Sequence, residues 1–139
     1  MVVTTEPGTA DKHLVIGAGF VGLGMAQALQ AADIPYDHVD ASDAIGGNWH
    51  HGVYATAHII SSKKVTQFTN YPMPDDYPHF PSAQQILGYL NRFANHYDLG
   101  SHIQLGRKVI MVRPIEGNQW QVTYDSGSSS VYKLSLIHI

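Results

Sequence analysis

Gly17, Gly19 and Gly22 stand at G-x-G-x-x-G spacing between an apolar run, His13-Leu-Val-Ile16, and a helix-forming stretch that starts at Phe20. That spacing suits a strand–turn–helix junction that takes a diphosphate. Gly17 allows the tight turn, Gly19 leaves bare backbone for the phosphates to approach, and Gly22 lets the helix lie close to the strand. The helix N-terminus then offers unpaired N–H groups and the positive end of its dipole. Ala18, Phe20 and Val21 complete the turn and belong to the same candidate site. Asp40 ends a second strand-like run, Tyr36-Asp-His-Val-Asp40, where a carboxylate can accept hydrogen bonds from ribose hydroxyls. A purely structural glycine turn is the alternative. The matching context on both sides favours a dinucleotide.

These residues need a parallel βαβ unit to position them. The pattern predicts a helix over Phe20–Ala31, with Val21, Met25, Ala28, Leu29 and Ala32 as its apolar stripe and Gly22 and Ala26 on a thin side. Asp33-Ile-Pro35 breaks the helix before the second strand, and the crossover is expected to be right-handed. Gly46 and Gly47 suit positive φ in the loop that follows. Trp49 is either a core aromatic or a cover for a flat ligand ring, and composition favours the core. Tyr71–Pro81 holds four of the seven prolines and reads as a stiff spacer. Ser82-Ala-Gln-Gln85 is a capping box. The helix behind it should bury Ile86, Leu87, Leu90, Phe93, Ala94 and Tyr97, with Gly100 as a left-handed stop. Two strand patterns flank Glu116-Gly-Asn118 and predict an appended antiparallel hairpin. The fold class is α/β, a partial FAD-type Rossmann unit; the hairpin as a sign of FAD is a fold-level analogy.

Composition narrows the classes further. The 139 residues suffice for one domain, and a net charge of −3 gives no basic field for nucleic acid. With no cysteine there is no disulfide, thiolate metal site or cysteine nucleophile, which fits a reducing, cytoplasmic setting. Nine histidines invite a metal, but no ligand spacing such as H-E-x-x-H occurs, and His50 and His51, being adjacent, should point apart; no metal is expected. Residues 1–11 read as a loose leader without signal-peptide character, 12–125 as the domain, and 126–139 as a serine-rich tail foreign to it. No run is long enough to span a bilayer.

Gly46-Gly-Asn-Trp49, Ser61-Ser-Lys63, Phe68, Tyr71-Pro-Met-Pro-Asp-Asp-Tyr-Pro-His-Phe80 and Tyr89-Leu90 follow the glycine turn and Asp40 in one register. In this register the chain resembles the N-terminal portion of the flavin-containing monooxygenases from about Lys12 to Tyr124. The resemblance implies an enzyme that uses FAD and NADPH to insert one oxygen atom into a small amine, sulfide or ketone. It implies that Gly17–Gly22 binds the FAD diphosphate and that Asp40 holds the adenosine ribose, where the family more often has glutamate. Gly47, Asn48 and Trp49 would lie along the flavin side, and the Val109 backbone would meet the adenine. Ile60 stands where the family tends to have asparagine, so a hydrogen-bonding side chain is lost there. A second G-x-G-x-x-G and the family's F-x-G-x-x-x-H do not occur in the 139 residues, which predicts a first part of a longer enzyme, inactive alone. Another two-dinucleotide flavoprotein reductase, or a nucleotide-binding module without activity, are the alternatives.

Overall fold

The computed structural model describes residues 10–133 and the backbone of 136–138. All but the last two residues of the expected leader lie outside this range. Strand β1 (His13–Ile16) leads through the glycine turn into helix α1 (Phe20–Ala31) and strand β2 (Tyr36–Val39). Short helical turns α2 (Asn48–His51) and α3 (Lys63–Thr66) precede the long helix α4 (Ala83–His96). Then come β3 (Ile103–Gln104), β4 (Val109–Ile115), β5 (Gln119–Tyr124), β6 (Ser129–Lys133) and β7 (Leu136–His138). β3, β2, β1 and β7 form a parallel sheet in that order, and β4, β5 and β6 form an antiparallel one. The expected βαβ unit and hairpin are both present. Ser129–Lys133, read from sequence as tail, instead pairs along β5 and extends the hairpin to three strands.

The parallel sheet is covered on both faces because alternate residues of its strands point to opposite sides. On one face α1 and α4 pack through Leu23, Ala26, Ile86, Tyr89, Leu90, Phe93 and Ala94. On the other face Leu14 and Val39 meet Val122, Tyr124 and Tyr132 of the antiparallel sheet. The polar rim of that contact is satisfied: Tyr132 Oη donates to Asp37 Oδ2 at 3.1 Å, and Lys12 Nζ lies 2.9 Å from Asp37 Oδ1.

Two local expectations are corrected. The buried face of α1 is Gly22, Leu23 and Ala26, whereas Val21 and Ala28 are exposed. Close approach at Gly22 and Ala26 turns that side to the sheet, with Leu23 filling the space beside it, and leaves Val21 outside. At the end of α4 the left-handed residue is Asp98 (φ 52), not Gly100. Leu99 N–H reaches the Ala94 carbonyl at 2.8 Å and Asp98 N–H reaches that of Asn95 at 3.2 Å, a Schellman closure. Asp tolerates this conformation better than most residues. Stopping there drops Leu99 into the core, and Gly100 opens a single 3₁₀ turn. The capping box forms as expected, with Gln85 N–H donating to Ser82 Oγ and Ser82 N–H to Gln85 Oε1.

The α4 stripe also differs from expectation. Leu87 and Tyr97 are only partly buried, while Tyr89 is fully buried. Its ring joins Phe20, Phe68 and Tyr71, and its hydroxyl accepts from Phe68 N–H at 2.9 Å and donates to the Tyr71 carbonyl. Burial pushes the phenol up to about 12, so it remains a donor at neutral pH. The proline-rich loop is held by Lys63, whose ammonium donates to the carbonyls of Pro74, Asp75 and Tyr77 at 3.1, 3.0 and 2.8 Å.

Tyr89→Phe keeps the ring packing but leaves Phe68 N–H buried without an acceptor. It is expected to cost about 1–3 kcal/mol. Tyr97→Phe, which removes an exposed hydroxyl, should stay within about 0.5 kcal/mol. Denaturant midpoints of the two variants check this, and equal values would contradict it.

Candidate functional site

A cleft of about 290 Å³ opens at the carboxyl end of β1, lined by Gly17, Gly19, Phe20, Val21, Asp40, Gly46, Gly47, Asn48 and Trp49. The glycine turn forms one wall and the 46–49 loop the other. Gly46 N–H donates to the Ala18 carbonyl at 3.0 Å, which ties the walls together. Gly46 (φ 126) and Gly47 (φ 55) both occupy the left-handed half of backbone space. A Cβ on Gly46 would lie 2.4 Å from Leu87 Cδ1, and one on Gly47 would lie 3.1 Å from the Gly19 Cα.

Gly19 differs from its neighbours. Its φ of −86° and ψ of −164° are extended and open to any residue. A Cβ there would meet nothing closer than the Gly47 Cα at 3.7 Å, an ordinary contact. Neither conformation nor packing calls for glycine. The bare surface at Gly19 lies open to the cleft at the N-terminus of α1. Gly22 shows the opposite: its Cβ would lie 1.8 Å from the Gly17 carbonyl oxygen, so glycine is required by the fold.

Asp40 lies in the cleft, but its carboxylate is already engaged. Oδ2 accepts from Ala18 N–H and Oδ1 from Ser42 N–H. It therefore fastens the turn and the loop to the end of β2. Each oxygen has a further lone pair, which leaves capacity for a ribose hydroxyl from the cleft side. His38, which sequence reasoning did not single out, sits one residue pair earlier. It is fully buried and donates from Nε2 to the Gly17 carbonyl at 2.8 Å. Its only sequence signal is a ring where an apolar side chain would suit a buried strand.

The expected site residues thus fall in three groups. Gly17, Gly19, Phe20, Val21, Asp40, Gly47, Asn48 and Trp49 line the cleft. Trp49 packs against the α4 core, as composition favours, and its other side borders the cleft. Ala18 and Gly22 are buried beneath it and act through backbone. Val109 packs with the Leu14–Val39 cluster and does not line the cleft. Ile60 is 99% exposed, beside buried Ile59. The expectation that His50 and His51 diverge is corrected: on the one turn of α2 their rings meet edge-on at 4.1 Å, with ligand atoms of both and of Asp43 within 4.8 Å of one another. All three are exposed.

A model of the flavin-binding monooxygenase-like family matches residues 10–132. The chain belongs to that family. This flavin-binding monooxygenase-like chain is 34% identical over 122 residues to a probable flavin-containing monooxygenase 1 of Arabidopsis thaliana, covering 86% of the chain and 23% of the relative. It is 29% identical to human flavin-containing monooxygenase 1, covering 81% of the chain and 24% of the relative. Among solved structures it superposes on an oxidized steroid monooxygenase bound to NADP with a TM-score of 0.80 at 22% identity, covering 89% of the chain and 25% of the neighbour. The chain thus spans about a quarter of the length of these relatives. No helix among the described residues is long and apolar enough to cross a membrane.

For a dinucleotide of the kind this family holds, the residues present fit. The opening at Gly19 and the α1 N-terminus would take a diphosphate, and the carboxylate at the end of β2 a ribose. Gly19→Val and Gly22→Ala separate ligand space from fold space. Gly19→Val should keep the melting temperature within a few degrees and weaken FAD binding by tenfold or more, since its methyls enter the diphosphate path. Gly22→Ala drives Cβ into a backbone carbonyl and should cost the upper end of about 1–3 kcal/mol or more. Thermal melts and FAD titration of both purified variants check this. A Gly19→Val protein that binds FAD like wild type would show the turn to be only structural.

Proposed function

We propose that this chain is the FAD-binding part of a flavin- and NADPH-dependent monooxygenase that inserts one oxygen atom into a small amine, sulfide or ketone. The observation that carries this reading is the unexplained vacancy at Gly19. Backbone and packing there would accept a larger residue, and a diphosphate would not. In this reading the FAD diphosphate lies across Gly17–Gly22, with backbone N–H groups of the α1 N-terminus directed at it. Asp40 faces the adenosine ribose. Gly47, Asn48 and Trp49 border the flavin side, and the adenine runs towards the start of β4 at Val109. Flavin supplies the redox and oxygen chemistry when bound; the chain binds it, orients it and shields one side from water.

Among the described residues no side chain stands out as a catalytic acid, base or nucleophile, and Ile60 offers no hydrogen bond to a ring. NADPH has one glycine turn to compete for, and a carboxylate at Asp40 repels its 2′-phosphate. The second dinucleotide and the substrate contacts are therefore assigned to sequence beyond this chain. A flavoprotein reductase without oxygen transfer is the second reading, since it would use the same first turn.

The purified protein is expected to take up FAD, shown by quenching of flavin fluorescence, and to bind NAD and NADP far more weakly. Tight NAD binding without flavin would overturn the assignment. With added FAD and NADPH, the 139 residues alone should yield no oxygenated amine, sulfide or ketone, and any slow NADPH loss should appear as hydrogen peroxide. Coupled formation of an oxygenated product would contradict the assignment of those parts to other sequence.

A further inference from the structure

Two residues at the end of β2 hold a single peptide unit of the glycine turn. His38 Nε2 lies 2.8 Å from the Gly17 carbonyl oxygen. A carbonyl only accepts, so Nε2 carries the proton. The Ala18 N–H, the other end of that same peptide plane, donates to Asp40 Oδ2. Rotating the plane breaks both bonds together. Gly17 sits at φ 101, a glycine conformation in which hydrogen bonds rather than Cβ sterics fix the peptide that follows. The Gly17 carbonyl is closed in on its remaining side by Gly22.

We propose that His38 is a positioning residue for the dinucleotide: as a neutral donor it locks the Gly17–Ala18 peptide, which keeps the opening at Gly19 and the start of α1 set for the diphosphate. This rests on the dinucleotide reading above. The cost of the ring argues for its use. Nδ1 is buried with no hydrogen-bond partner among the described residues. An apolar residue would fill the same space without that penalty, so the feature that distinguishes His38 is its Nε2–H.

The surroundings keep the ring neutral. Its register neighbours are Val15 on β1 and Ile103 on β3, and α1 carries no titratable side chain. On its own strand it faces Tyr36, itself pushed up by burial, and beyond the strand end Asp40. Burial holds the imidazole below its usual range, against the opposing pull of the Gly17 carbonyl and the Asp40 carboxylate. The unfolded chain therefore takes up a proton first as pH falls through about 6.5. The contribution of His38 to stability is present above that pH and is lost as pH falls towards the lower folded value.

The test uses purified wild type, His38→Leu and His38→Gln, with FAD titrations at pH 7 and melting temperatures from pH 8 to 5. His38→Leu keeps volume without a donor and should bind FAD about tenfold more weakly, with its melting temperature at pH 7 within a few degrees of wild type because the unpartnered Nδ1 is removed as the Gly17 carbonyl loses its donor. His38→Gln places an amide N–H near the Nε2 position and should recover most of the affinity. Wild type should lose more melting temperature between pH 7 and 5 than either variant. FAD binding by a folded His38→Leu equal to wild type, or no better binding by His38→Gln than by His38→Leu, overturns the inference alone. If His38→Leu does not fold, a His38→Gln protein that melts like wild type yet loses FAD overturns it. Absence of FAD binding by wild type overturns the dinucleotide reading, and the inference with it.

Discussion

The contact on which the rest depends is the Gly17 carbonyl oxygen pressed against a helix that has no Cβ at Gly22. The 1.8 Å separation that a Cβ would have leaves no tolerance. Because α1 can come this close, its thin face meets the parallel sheet and its N-terminus lands at the carboxyl end of β1. The larger aliphatic Val21 is turned outward to the cleft. A helix held one side-chain layer further out would lose the hydrogen bonds that His38 and Asp40 make to the turn. Close packing, backbone placement and an anion-ready helix end are thus consequences of one missing methyl group.

The second wall of the cleft is set by a different mechanism. The 46–49 loop has few side chains to fix it, so it is fixed by backbone and by neighbours. Gly46 hands its N–H to Ala18 and admits Leu87 of α4 where a Cβ would stand. α4 is in turn anchored by its capping box and by Tyr89, whose hydroxyl bridges two loop backbones. Lys63 latches the proline-rich loop through three carbonyls. The residues that carry the family resemblance around this loop thus have a visible structural function: Lys63 ties the proline-aromatic segment, and Tyr77 of that segment donates to the Gln85 carbonyl of α4.

Much of this was legible in the chain because the signals are local. The glycine spacing, the capping box and the alternation of β5 each report a conformation within a few residues, and each forms. The misreadings come where tertiary contacts decide. The apolar stripe of α1 follows from helical spacing, while the sheet takes the neighbouring face, the thin Gly22–Ala26 side together with Leu23. Asp98 stops α4 before Gly100 because Leu99 has to be buried, a demand invisible from turn chemistry. Ser129–Lys133 looks like linker by composition, yet β5 offers it a free edge, and Tyr132 reaches Asp37 on the neighbouring sheet. His38 carries little signal in the sequence because a lone histidine in a strand has no motif; its meaning depends on a carbonyl 21 positions away in sequence.

The shorter acid at position 40 has its own logic. With glutamate, which the family more often has there, the carboxylate would stand one methylene further out. Aspartate keeps both oxygens within reach of the Ala18 and Ser42 N–H groups, so it serves as a bracket for the turn before it serves a ligand. A ribose would have to approach the bracket, using lone pairs that remain on the cleft side. At this end of the sheet the Arg107 backbone N–H donates to the Asp40 carbonyl at 2.8 Å, while its guanidinium bonds Gln104 Oε1 and lies over the Tyr124 ring. A carboxylate at this position repels a 2′-phosphate and suits an adenosine with a free 2′-hydroxyl. On the dinucleotide reading, that is a physical reason for this first site to hold FAD and leave NADPH to another.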